Sequence, residues 1–512
     1  MGTGRPLKPA PDPGPGSARE RFLHPFAPYL VPFALGLAAR IDAARAMPYA
    51  AEDAYITFRF AENWARGLGP VYNAGERVFG FTSPAWTAWV ALGALLGVDS
   101  FAWARWSGLA LSLAALVLFT RLLDRAMGRT AAWLFAVGFA VFAPFSAHAV
   151  LGMETSLLVA ALAAAATAIE VRSRAAGPLL ALLALTRPEG TVLVALLALR
   201  ADGRARLVAT GLVALAAGAL TVYYGSPIPQ SVLAKAGTYG LGLRAASLLW
   251  LEGFVPAFLA PRWQTLLEAQ HLFAISVLTA PAVVLGLRAL GPWWPWPPRP
   301  SVLGWVGAGG ILVLLGYVAL GVPYFGWYFV LPLTGWAIAV AAGLPRVVRS
   351  RLVWAALAVY VLTDAAYLGQ LYVGRNQVEA RLFVAAAERL AAHSGGRGSV
   401  FLEPIGHIGY RTGLAVIDEI GLVSPEVPRM RRRGAGWYAD VVAARRPDYL
   451  VFRPGPLLEN QALAGVSAPF RSLAERDSTL VAYELVGDPP MTPDELVVLV
   501  KKARTPPGRP VP

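Results

Sequence analysis

The sequence predicts a mainly α-helical, polytopic membrane bundle carrying a C-terminal extracytoplasmic α/β domain. Of the 512 residues, 56% are hydrophobic and 15% charged, and the mean hydropathy is +0.52; soluble domains carry about 25% charged residues. Apolar runs long enough for membrane helices recur from residue 25 to residue 372. Beyond that point they give way to short apolar strands separated by Gly- and Pro-rich turns.

In chain order, residues 1–24 read as a disordered cytoplasmic segment rich in Pro and Gly. The apolar run that follows shows no small-residue cleavage site, so 25–41 reads as a first span rather than a leader. Further spans fall near 101–122, 130–147, 153–171, 207–223, 264–287, 302–321, 327–344 and 352–372. Clusters such as Arg121/Arg125/Arg129 and Arg200/Arg204/Arg206 lie in short loops that can all be cytoplasmic, which also accounts for the net charge of +14 without a nucleic-acid partner. Residues 40–83 hold five Arg against five acids, and this balanced loop (42–83) belongs outside.

Residues 84–97 are apolar but short and read as an interfacial or re-entrant helix. Residues 176–200 are interrupted by Thr186-Arg187-Pro188-Glu189-Gly190. A helix cannot pass Pro188 undisturbed, so two short helices meet at an outward apex. With that hairpin counted as two, the membrane domain 25–372 has about eleven helices. Residues 373–504 form the outer α/β domain, with an amphipathic helix at 376–393 and strands at 399–402, 414–417 and 449–452. Residues 505–512 read as a disordered tail.

On this topology the unusual polar motifs collect on one side: 51–84, Gly152-Met153-Glu154-Thr155, the hairpin apex, Tyr224 with its neighbours, and Lys235. Scattered polar groups have no reason to share a side, and their convergence implies a site. Glu52 and Asp53 carry its chemistry. Adjacent carboxylates at a cavity mouth suit proton abstraction from a sugar hydroxyl, and their repulsion raises the proton affinity of one of them. The alternative for Asp53 is the N-cap of a helix that stops at Gly67. Arg59 shares a face with Glu52 and either pairs with it or contacts phosphate. Glu154, Arg187 and Glu189 are ionisable at membrane depth, where such groups default to functional candidates. Lys235 suits phosphate as a point charge. With no cysteine, thiol catalysis and disulfides are excluded. HExxH, P-loop, GxSxG and EF-hand patterns are also absent, which argues against ATP-driven transport and the usual hydrolases.

The run EDAYITFRFAENWARGLGPVYNAGERVFGFTSPAW resembles the first outer loop of C-type (GT-C) polytopic membrane glycosyltransferases, most of all bacterial AftB-type arabinofuranosyltransferases and PMT-like proteins. LGMETSL, ALTRPEG, YYGSPIPQSVLAKAG and IGYRTGLAVIDEIGLVSP resemble that family in the same order. The resemblance implies a polyprenyl-phosphate-linked sugar donor, a glycan or lipid acceptor at the bilayer, and Asp53 as general base with inversion at the anomeric carbon. Lys235, Arg59 or Arg187 would stabilise the departing phosphate, with Glu154, Glu189 and Tyr224 beside the donor. A divalent cation is compatible with this chemistry and not required by it. Glu52 stands where the family more often has Asp, Phe79-Gly80-Phe81 replaces an acid-Gly-Tyr pattern, and Gln230 stands where Asn is common. These departures leave the sugar and the acceptor open. The competing reading is a transporter or lipid-linked sugar flippase, a class usually built on inverted repeats; none is visible in the sequence.

Overall fold

The computed structural model describes residues 27–239, 280–291, 301–322, 325–462, 467–490, 492 and 495–502. Expectations for 1–24, for most of the 264–287 span and for the 505–512 tail lie outside the described residues. The membrane part begins with α1 (Leu30–Ala46), α2 (Glu52–Ala65), α3 (Pro84–Leu95), α4 (Ser100–Met127), α5 (Arg129–Val141), α6 (Ala143–Val150) and α7 (Thr155–Glu170). It continues with α8 (Ala176–Thr186), α9 (Gly190–Ala198), α10 (Gly203–Tyr224) and α11 (Gln230–Tyr239), then α12 (Ala280–Leu290), α13 (Val302–Ala319), α14 (Gly326–Val347) and α15 (Arg351–Ser394). Among the described residues, α4, α10, α13 and α14 are each long and apolar enough to cross a membrane, and the bent pair α5/α6 adds a fifth if counted as one span. The expected break at Arg187–Glu189 separates α8 from α9.

The bundle core is aromatic where α4, α5 and α6 meet, at Phe119, Phe135, Phe139 and Phe145. It is alanine-rich along α7, where small side chains let neighbouring helices approach closely. The 54° bend between α5 and α6 has an identifiable cause. Pro144 has no N–H for the Ala140 carbonyl. Arg40 of α1, fully buried, supplies the missing donor: its Nη1 reaches Ala140 O at 3.4 Å and Gly36 O at 3.0 Å, its Nη2 reaches Phe139 O at 3.3 Å, and its Nε donates to Ser112 Oγ at 2.9 Å. A guanidinium at the carboxyl end of α5 also complements the helix dipole.

The sequence separates a span at 352–372 from a helix at 376–393, but the structure makes them one helix of 44 residues, α15. Gly374 is the only helix-weakening residue at the junction, and a single glycine costs only about 1 kcal/mol. The helix stops at Gly395, which takes the left-handed conformation.

The outer module follows: β1 (Ser399–Leu402), α16 (Ile405–Thr412), β2 (Ala415–Asp418), α17 (Glu426–Arg431), α18 (Trp437–Arg445), β3 (Tyr449–Phe452), α19 (Pro454–Leu458), α20 (Leu473–Leu480), β4 (Tyr483–Leu485) and β5 (Val497–Lys501). The sheet order is β2-β1-β3-β5-β4. β2, β1 and β3 run parallel, and β5 pairs antiparallel with both β3 and β4. One hydrophobic core joins this module to the outer loop: Ile56, Phe60, Phe79 and Phe81 pack with Phe383, Val400, Ile408 and Val423.

Arg40→Met removes the donors that satisfy the bend, and each buried polar group left unpaired costs roughly 1–3 kcal/mol. The thermal midpoint of the detergent-purified protein is expected to fall by several degrees, with Arg40→Lys losing less.

Candidate active site

The chain leaves α1 at Met47 and enters α2 through Ala51, which is the N-cap and makes no side-chain cap bond. Glu52 and Asp53 therefore occupy the first turn, where acids complement the helix dipole. Asp53 is not the cap. Its Oδ2 instead accepts from Lys235 Nζ of α11 at 3.0 Å, with the two side chains 28% and 20% exposed. Burial disfavours the Lys235 charge, but the Asp53 carboxylate, with Tyr328, outweighs burial and holds the ammonium above the ordinary lysine range.

This pair stands between two cavities. The narrow one, of about 40 Å³, is lined by Asp53, Glu154, Arg187, Ser231, Lys235 and Tyr328 among others. Four candidate residues scattered over the chain thus share one wall. Arg187 is held by Glu154 and Glu189, all three nearly buried, and it lies 4.6 Å from the centre of the Tyr328 ring. Glu189 also accepts from Tyr317 Oη at 2.7 Å. It braces Arg187 and lines neither cavity. With two carboxylates on one guanidinium, Arg187 is already matched.

The wide cavity, of about 270 Å³, lies where the membrane helices meet the outer module. Asp53, Lys235 and Trp327 line it as well as the narrow one. Glu52 lines it too, and its other walls include residues the sequence did not single out: Arg375, Asn376 and Glu379 of α15, and Glu403 and Arg453 of the module. A signal existed for the last two. Each directly follows a predicted strand, and ligands of α/β sheets gather beyond the carboxyl ends of parallel strands. His148, on the wall of the wide cavity, is hydrogen-bonded, its Nε2 lying 3.2 Å from Tyr372 Oη.

Three candidates have other work. Glu52 accepts from the backbone N–H of Gly406 at 2.5 Å and of His407 at 2.9 Å, so its carboxyl caps α16 of the outer module. Burial pushes it up to about 8 against the pull of those amides; repulsion from Asp53, the cause expected from sequence, is a lesser contributor. Arg59 neither pairs with Glu52 nor lines either of these cavities. Its Nε donates to Tyr72 O at 2.8 Å, and its Nη atoms donate to Gly409 O at 2.5 Å, Leu414 O at 2.6 Å and Asn73 Oδ1 at 3.3 Å. Four of its five N–H donors are thus spent inside the protein, away from both cavities, so it is not placed to hold a phosphate. Tyr224 stacks on Phe79 at 5.0 Å and donates its hydroxyl to Pro70 O, so it braces the outer loop and lines neither cavity.

Comparisons place this geometry on a known fold. Residues 369–497 match a family described as a domain of unknown function, DUF8728. No curated protein matches. The chain is similar to the crystal structure of ArnT from Cupriavidus metallidurans bound to undecaprenyl phosphate, with TM-score 0.59 and 12% identity over 94% of this chain and 100% of that one. The apo state of ArnT from the same organism aligns at TM-score 0.53 and 13% identity, over 92% and 97% of the two chains. The mycobacterial arabinofuranosyltransferase AftD reaches TM-score 0.42 and 16% identity, over 92% of this chain and 41% of that chain, a likeness too slight to carry an argument. ArnT is a GT-C glycosyltransferase, and the chain has the GT-C fold: a multi-pass helical membrane bundle with a C-terminal α/β domain.

Two predictions concern the docking of the loop on the module. A Cβ at Gly406 would stand 2.0 Å from the Glu52 carbonyl oxygen, a backbone atom that cannot turn aside. Gly406→Ala is expected to separate α2 from α16, read as faster amide exchange across both helices. Glu52, raised from 4.5 to about 8, binds its proton more tightly folded than unfolded. Its contribution is complete below the ordinary carboxyl range and is lost as pH rises through about 8. Thermal midpoints measured from pH 5 to pH 9 should show that slope, and Glu52→Gln should flatten it.

Proposed function

We propose that the chain is a membrane glycosyltransferase, moving a sugar from a polyprenyl-phosphate-linked donor to a hydroxyl of an extracytoplasmic glycan or lipid acceptor. The observation that carries this reading is the Asp53–Lys235 pair at the neck between the two cavities. One contact there unites a proton acceptor with a cation. The shared fold supports it, since the ArnT structure of the same architecture is described as bound to undecaprenyl phosphate.

In this reading the donor phosphate enters on the narrow side and draws Lys235 away from Asp53. An acceptor hydroxyl on the wide side then donates its proton to Asp53 as its oxygen attacks the anomeric carbon. The new C–O bond forms on the face opposite the phosphate, and the old one breaks with its electron pair leaving on the phosphate oxygen. Lys235 neutralises that charge. A single in-line displacement inverts the anomeric centre. Glu52 positions Asp53 rather than sharing the proton, and Arg187 with Glu154 lines the narrow cavity, braced by Glu189. The phosphate-binding role falls to Lys235. The protein sits in the cell (inner) membrane with its N-terminus cytoplasmic, a membrane domain over 25–372 and an extracytoplasmic module over 373–504.

The test is a panel of pentosyl and hexosyl polyprenyl phosphates assayed with the protein in nanodiscs. Wild type is expected to transfer one of them with inversion. Asp53→Asn should lower kcat by about 10²–10⁴-fold, the usual worth of a general base, and Lys235→Met should chiefly weaken use of the donor. Movement of the lipid-linked sugar across vesicles without joining it to an acceptor would favour the flippase reading instead.

A further inference from the structure

We propose that the wide cavity is a binding site for an uncharged, hydroxyl-rich saccharide, with Glu403 and Arg453 of the outer module as its specificity-determining pair. The identity of that saccharide as the acceptor rests on the transferase reading above.

The placement follows from the sheet. β1 and β3 are parallel neighbours in register, with Leu402 opposite Val451. The residues that follow them, Glu403 and Arg453, therefore emerge side by side at the carboxyl edge, where α/β sheets present ligand-binding groups. That edge faces the membrane domain across the cavity that holds Asp53.

The charge balance decides the class of ligand. Among the described residues, each lysine and arginine lining the cavity faces an acid of the same cavity. Lys235 meets Asp53 at 3.0 Å, Arg375 meets Glu379 at 2.8 Å, and Arg453 meets Glu403 at 4.0 Å. Glu52 is taken by backbone amides. His407, which burial holds down to about 3, adds no charge. With Lys235 given to the donor phosphate in the reading above, a further phosphate or carboxylate entering here finds only Arg375 and Arg453, each already beside its own acid, and burying an unmatched charge is heavily unfavourable.

A hydroxyl meets no such obstacle. Arg453 and Glu403 are separated by 4.0 Å, too far for a hydrogen bond, and their side chains remain 43% and 39% exposed. One sugar hydroxyl between them accepts from the guanidinium and donates to the carboxylate. Asn376 and His407 add neutral polar side chains to the wall. Trp327 and Phe383 supply apolar faces for the ring carbons.

The experiment uses the full chain in nanodiscs, with ligand-observed NMR titrations of neutral methyl glycosides and of the matching 6-phosphates and uronates. Wild type is expected to bind at least one neutral glycoside at least about tenfold more tightly than its charged analogues. Glu403→Gln leaves Arg453 without its acid, so it should lose affinity for the neutral ligand and gain about tenfold for the charged one. That gain cannot come from misfolding. Arg453→Gln should weaken neutral binding without changing donor binding. Equal affinity of wild type for neutral and charged glycosides, or a Glu403→Gln profile like that of wild type, overturns the proposal. These titrations need no donor. A protein that binds neutral glycosides as described but transfers no sugar overturns the transferase reading alone; one that transfers sugar while both variants keep the wild-type acceptor KM overturns the role of the pair alone.

Discussion

Everything at the junction of bundle and module depends on two buried groups of α2 that end on backbone atoms of the module. The Glu52 carboxyl takes the first N–H groups of α16, and the Arg59 guanidinium takes the carbonyls of Gly409 and Leu414. One therefore supplies acceptors at the amino end of α16 and the other donors beyond its middle. Side chains can be replaced by rotation, but backbone groups cannot, so these contacts set both the position and the angle of the module. Asp53 is the next residue after Glu52. Its place over the neck of the two cavities is inherited from that docking rather than held by Lys235 alone.

The same economy governs the charges buried in the bundle. Each has its partners within reach: Arg40 on the carbonyls freed by Pro144, and Arg187 between Glu154 and Glu189. Low-dielectric surroundings make an unmatched charge intolerable, so the broken hairpin α8/α9 persists only because the acid of another helix reaches its apex. The hairpin brings Arg187 to the wall that Asp53 occupies.

Much of this architecture was legible in the residues. The spans expected near 101–122, 207–223, 302–321 and 327–344, the interruption at Pro188, the short helix that begins at Pro84 and the strands at 399–402 and 449–452 stand where local pattern put them, whereas the span expected at 130–147 is broken at Phe142. The strand expected at 414–417 is shifted by one residue. β4 and β5 were not legible, because YEL is too short for a period to show and VVLVK reads equally as a helix end. The gathering of Asp53, Glu154, Arg187 and Lys235 followed from topology alone. The roles of Arg59, Glu52 and Tyr224 did not, because each is decided by a partner far away in sequence: Arg59 lies 350 residues from Gly409. Composition says that a charge sits in an apolar loop; it cannot say whether a carbonyl will meet it there. Glu403 and Arg453 were hidden for a related reason, since their meeting depends on strand order.

The long helix α15 has a mechanical corollary. Its 44 residues make a rod of about 66 Å at 1.5 Å per residue, uninterrupted from the bundle to the rear of the sheet. Tyr372, near His148, and Phe383, inside the module core, lie on the same shaft. Such a rod transmits tilt without a joint. Bilayer thickness or lateral pressure acting on its lower half reaches the roof of the wide cavity directly, so lipid composition has a lever on the gap between the module and the neck below it.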